Sequence, residues 1–132
     1  MTAYCGVYPG RGCLVAVLVD GEGRASPAVT VDRTDDARRK LLMHLDGTQV
    51  LEAELVVPEW LVRLDSIAQL ATARNMPVWI ASTGMVDSLR LVARARRPAT
   101  VAALLARLPL ASSLREHLRR IRPADQRQLA LL

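Results

Sequence analysis

The sequence predicts an α/β fold: a mixed five-stranded sheet in βββαβαβα order, with helices packed on it and an extra-helical C-terminal third. Three observations predict it. Two reversals, Pro9-Gly10-Arg11-Gly12 and Asp20-Gly21-Glu22-Gly23, cut the first thirty or so residues into short apolar strands. Two later apolar runs, at 51–57 and 78–81, alternate with stretches of helical periodicity, the pattern of strands joined by crossover helices. After Ser82 only helix-spaced leucine, valine and alanine remain, interrupted at Pro98, Pro109 and Pro123.

Residues 3–8 read as a first strand, with Tyr4, Gly6 and Tyr8 on one face and Cys5 and Val7 on the other. Proline presets its own φ in the turn that follows, and the glycines supply positive φ. Residues 13–19 are almost continuously apolar and rich in valine, which suits a central strand covered on both faces. A third strand, over about 25–31, carries Pro27 and belongs at an edge, because proline cannot donate to a ladder. Thr34 is placed to cap a helix, with Asp35 and Asp36 in its first turn and Asp46-Gly47 at its end. Ala37, Leu41, Leu42 and Leu45 form its buried stripe, and Arg38, Arg39 and Lys40 lie on or near its outer face.

The fourth strand covers 51–57. Pro58-Glu59 opens a second helix with Leu61, Leu64, Ala68 and Ala71 inward, stopped by Asn75-Met76-Pro77. Residues 78–81 make a short buried strand reached by a right-handed crossover. Thr83 then caps a helix carrying Met85, Val86, Leu89, Val92 and Ala93, which ends before Pro98. Thr100 caps the next, with Val101, Leu104, Leu105 and Leu108 inward and a stop at Pro109. Ser113-Leu114-Arg115-Glu116 has capping-box spacing and starts a third, which buries Leu114, Leu118 and Ile121.

The chain has 132 residues, 51% of them apolar, enough for one domain with a real core. That domain is expected to span 1–132, with the meander and αβ core in 1–82 and basic helices in 83–132. There is no Phe, so the core must come from Leu, Val, Ala and Ile. No apolar run approaches the ~20 residues of a membrane span, and no basic-then-apolar leader opens the chain, so a cytoplasmic protein is expected. Cys5 and Cys13 fall on adjacent strands; they read as small buried hydrophobes in a reducing cytosol, or as a pair able to face each other. His44 and His117 are too far apart in sequence to suggest a zinc site, and no Ser/His/Asp or Cys/His set suggests itself.

The net charge of +5 is unevenly placed. Residues 89–132 hold ten arginines and two acids, whereas 1–88 carry a net −3. Such a basic third on a mildly acidic body suits a nucleic-acid or acidic-partner surface. It also suits arginines that keep a Leu-rich domain soluble, and the two readings stand level. Arg90, Arg94 and Arg97 recur at three- and four-residue steps, and Arg115, Arg119 and Arg122 repeat the pattern. Two such stripes would contact phosphates without reading sequence. Ser82-Thr83-Gly84 has the look of a small anion-binding helix start, without the Gly-rich loop and Lys that would strengthen it.

Gly6-Val7-Tyr8-Pro9-Gly10, the long apolar run 14–19 after it, the element order, and the acid at the end of the fourth strand together resemble the ribonuclease H-like superfamily. Within it, the sequence is most similar to RuvC-type Holliday-junction resolvases and related transposase domains, which open with Gly-Ile-Asp-Pro-Gly. The resemblance spans most of the chain. It implies a carboxylate cluster holding two divalent ions that activate water and steady the leaving oxygen. By that resemblance the first ligand would stand at Tyr8, and a phenol is a poor replacement for a carboxylate. The second would be Glu59, with Glu54 as the other choice; Asp87, Glu116 and Asp125 are the later acids, none in a convincing motif.

The resemblance therefore implies a degenerate, non-catalytic domain that binds nucleic acid, DNA before RNA, or a DNA-processing complex in recombination or mobile-element functions. Tyr8 would stack on a base or simply cap a sheet face. Glu59 is a surviving ligand or a first-turn acid complementing the helix dipole. Trp60 and Trp79 are expected to pack between helix and sheet. Two other readings stay open: an assembly module, including a homo-oligomer, whose basic helices dock a protein, and an active nuclease using Mg²⁺ around Glu59. No cofactor is expected outside that last case.

Overall fold

In the computed structural model, which describes residues 2–47, 52–94 and 96–121, strand β1 (Thr2–Pro9) runs through the middle of the sheet. On one side it is antiparallel to β2 (Cys13–Val19), itself antiparallel to the edge strand β3 (Val29–Asp32). On the other it is parallel to β4 (Glu52–Pro58), which is parallel to β5 (Val78–Ala81). The reversals at 9–12 and 20–23 sit where expected, with Gly12 and Gly23 at positive φ. The third strand is shorter than expected: Ala25 makes only a single bridge to Val19, and pairing begins two residues after Pro27.

The sheet has six strands, not five. Instead of one helix from Ser113, a four-residue helix ends at Arg115 and β6 (Arg119–Ile121) pairs antiparallel with β5. The open edge of β5 supplies unpaired backbone groups, and a strand satisfies them where a helix would not. Leu118 and Ile121, spaced like a helix face, go instead to opposite sides of the sheet.

The three helices of one layer are α1 (Asp35–Asp46), α2 (Glu59–Leu64) and α3 (Ile67–Ala73). They cover Cys5, Val7, Leu14, Leu55 and Val57. Thr34 caps α1 as expected, accepting from the Ala37 amide at 3.2 Å. The single helix expected from Glu59 to the stop at Asn75 is two, because Asp65 takes extended geometry, buries its carboxylate and accepts from the Ile67 amide at 2.9 Å. That break leaves Leu64 68% exposed, against the expectation of a buried residue. Arg38, expected on the solvated face, is buried: its Nε and Nη2 donate to Asp65 Oδ1 and Oδ2, each at 2.8 Å. Arg33 Nε adds a third bond at 3.2 Å. Burial alone would push the Asp65 carboxyl up, but these bonds and the Ile67 amide hold it below the usual carboxylate range.

The opposite face is covered by α4 (Thr83–Val92) and α5 (Pro98–Arg107), followed by a 3₁₀ turn at Leu108–Leu110 and α6 (Ser112–Arg115). Ser82, not Thr83, caps α4, its Oγ accepting from the Met85 amide. Pro98 occupies the first turn of α5, so that helix starts before Thr100. Val101, Ala102, Leu105 and Ala106 of α5 pack on Tyr4, Val17, Val19 and Val56. The approach is so close that a Cβ on Gly6 would stand 1.9 Å from the Ala102 carbonyl oxygen. Only Val86 of α4 is buried; Val92, expected inward, is exposed.

Candidate functional site

Three elements meet at the C-terminal end of the central strands. Gly6 pairs with Val56, so Tyr8 and Pro58 lie at the same end of β1 and β4, and Glu59-Trp60 opens α2 there. The N-terminus of α5 arrives from the other side, with Pro98 Cγ 3.9 Å from where a Gly10 Cβ would be. Tyr8 and Trp60, both half-buried, meet edge to face with centroids 5.8 Å apart. Glu59 is half-buried, and its side chain makes no hydrogen bond or ion pair among the described residues. The first turn of α5 is Pro-Ala-Thr-Val, with no acid.

A pair of divalent ions needs several hard oxygen ligands brought together. Around Tyr8 the chain offers a phenol, an indole and one carboxylate. Among the described residues no three His, Cys, Asp or Glu side chains converge. The donor set that the described residues bring to this point does not fit the metal pair that the family resemblance implies. Of the later acids, Asp87 sits on α4, Glu116 follows α6, and Asp125 lies outside the described residues.

Glu54, the alternative ligand, is committed elsewhere. It stands opposite Tyr4 near the N-terminal end of β4 and is buried. Trp79 Nε1–H donates to its Oε1 at 2.8 Å, and Arg120 Nε and Nη2 donate to Oε1 and Oε2 at 3.0 and 3.2 Å. The guanidinium carbons of Arg115 and Arg120 lie 5.1 and 5.6 Å from the Trp79 ring centroid, and Tyr4 meets that ring edge-on. Burial first, and then the Glu54 charge, push the Tyr4 phenol up, against the lowering effect of Arg115 and Arg120. This cluster ties β6 and α6 to the sheet. Its members are far apart in sequence and carry no local motif, so sequence reasoning missed it.

The arginines divide differently from the two expected stripes. Arg90 is on α4; Arg94 lies past its end at φ 52°; Arg97 is the N-cap of α5. They share no helix face, because α4 stops at Val92. Arg90 and Arg94 instead line an open groove with Asp87, Leu91 and Arg96, and Arg96 was not singled out from the sequence. Nor do Arg115 and Arg119 form a helical stripe: one ends α6 and the other lies on β6, while Arg122 lies outside the described residues.

No protein-family model matches the chain, and no curated protein matches it by sequence. Among solved structures, the chain is similar to the RuvC of T. thermophilus, determined in complex with a Holliday junction substrate. The TM-score is 0.59 over 92% of this chain and 100% of that one, at 12% sequence identity. The chain therefore has a ribonuclease H-like fold, as the element order and the Gly6–Gly10 opening implied.

Proposed function

We propose that this chain is a ribonuclease H-like domain that binds nucleic acid without cutting it. The observation that carries this reading is the pairing of Tyr8 with Trp60 where the fold's metal ligands would have to gather. A carboxylate cluster is costly to assemble and is kept by the charge of its metal; an aromatic pair is stable without one. The RuvC structure described above holds branched DNA, which makes DNA the first nucleic acid to test. The basic C-terminal third supplies cations for phosphate contacts.

The test is binding of labelled single-stranded, duplex and branched DNA across a salt series, with Mg²⁺ or Mn²⁺ present. Binding that weakens steeply with salt, without cleavage, is the expected result. No binding at low salt would sink the proposal. Metal-dependent cleavage lost in Glu59→Gln would establish the nuclease reading in its place.

A further inference from the structure

We infer that the groove at the C-terminal end of α4 holds an unpaired nucleic-acid strand, by its phosphates and by the faces of its bases. This inference rests on the nucleic-acid reading given above and assigns it a site. The groove has a volume of about 560 Å³ and is lined by Asp87, Arg90, Leu91, Arg94 and Arg96. Among the described residues, its lining thus holds three arginines and one acid.

None of the three arginine side chains has a hydrogen bond or ion pair among the described residues. Elsewhere, Arg24, Arg33, Arg38, Arg74 and Arg120 are all paired with acids. The side chains of Arg11, Arg39, Arg97 and Arg119 also lack such a partner among the described residues, but here three unpaired guanidinium groups are gathered in one groove. Guanidinium groups match phosphate oxygens in a two-pronged geometry and stack flat on bases.

Arg94 adds a second observation. It follows the C-cap Ala93 in the left-handed conformation, at φ 52°. Glycine fills this place at least cost, and a side chain there strains the backbone. The arginine puts a cation at the groove at the expense of a more stable helix end.

Leu91 also gives the groove an apolar side chain, which decides the kind of strand. Leu91 is 79% exposed and the adjoining Val92 is 86% exposed. In a duplex the base faces are stacked on one another, and these side chains would meet sugar, phosphate and base edges but not base faces. In an unpaired strand the faces are free to lie on apolar side chains and guanidinium planes. Among the described residues no amide or hydroxyl side chain lines the groove, and guanidinium groups engaged with phosphates and base faces carry little sequence information.

The experiment is fluorescence anisotropy on the intact chain, with a labelled oligothymidine and a duplex of the same length over a salt series. The oligothymidine should bind more tightly. Arg90→Gln, Arg94→Gln and Arg96→Gln combined should flatten the log–log salt slope by about 2, at roughly 0.7 per phosphate contact on a single strand. Leu91→Ser should weaken oligothymidine binding and leave that slope unchanged. Arg94→Gly should raise the unfolding temperature while weakening binding, a combination that misfolding does not produce. A wild-type slope in the triple variant, tighter binding of duplex, or displacement of the oligothymidine by poly-glutamate at lower concentration than by unlabelled DNA would each overturn the inference. If the wild type binds DNA and the triple variant keeps its slope, the groove is wrong and the nucleic-acid reading stands. If the wild type binds no nucleic acid at low salt, both fall.

Discussion

Replacing Gly6 by alanine tests whether α5 is seated as closely on β1 as the coordinates place it. The new Cβ would lie 1.9 Å from the Ala102 carbonyl oxygen and 2.9 Å from both the Ala102 carbonyl carbon and the Ala106 nitrogen. Real Cβ contacts essentially stop at 3.0 Å, so α5 must retreat by about 1.1 Å or the strand must buckle. The opposing atoms are helix backbone, which cannot swing aside as a side chain can. Retreat would open gaps beneath Val101, Ala102, Leu105 and Ala106, all buried. Overpacking a core costs about 1–3 kcal/mol, and a backbone clash belongs at the upper end. The ~0.4–1 kcal/mol that alanine gains by stiffening the unfolded chain does not offset it. A net loss of about 2 kcal/mol, with a urea slope of ~1–3 kcal/mol per molar, lowers the denaturation midpoint by about 1 M. Gly10→Ala is the control, because its Cβ would meet the end of the Cys13 side chain at 2.9 Å, which can rotate. A Gly6→Ala midpoint equal to the wild type's would refute the docking of α5 described here.

Asp65→Asn removes a carboxylate shared by Arg33 and Arg38 and leaves buried Arg38 with the exposed Asp35 as its remaining acid partner, at a cost of about 3 kcal/mol in urea unfolding. Because the Asp65 carboxyl is held low in the folded protein, its contribution is complete above the ordinary aspartate range and is lost as pH falls below about 4. The wild type should therefore lose more stability than Asp65→Asn on acidification, measured by urea midpoints at successive pH values. Glu54→Ala strands the buried Trp79 N–H and frees Arg120, costing about 1–3 kcal/mol and accelerating hydrogen exchange of the β6 amides before those of β1. Burial pushes the Cys5 thiol up to about 12, so a thiol reagent on the native protein should modify Cys13 first and reach Cys5 only on unfolding.

Local chemistry made much of this fold legible. The turns at 9–12 and 20–23 end strands because Gly12 and Gly23 take a positive φ that other residues adopt only with strain, and Thr34 starts a helix by accepting from the Ala37 amide, with Asp35 and Asp36 complementing its dipole. The alternation Tyr4-Gly6-Tyr8 against Cys5-Val7 was readable because a strand has a period of two. Two of the errors share one cause: a partner distant in sequence overrode a local pattern. Asp65 broke a well-spaced helix because Arg38, across the layer, made its carboxylate worth burying. The edge of β5 drew 119–121 out of a helical pattern because its backbone groups needed pairing. Arg90, Arg94 and Arg97 matched a helix face on paper, but that helix ends at Val92.

By itself the sequence determined the meander, the crossover strands and the fold they compose, and it marked Tyr8 as the residue that does not suit metal chemistry. Only the tertiary structure decided what Tyr8 does instead, which is to meet Trp60, and only it gathered Arg90, Arg94 and Arg96 around exposed Leu91. The physical reason is range. Turn, cap and periodicity are properties of a few neighbouring residues, whereas a site is made where strand ends and helix ends from distant parts of the chain are packed together.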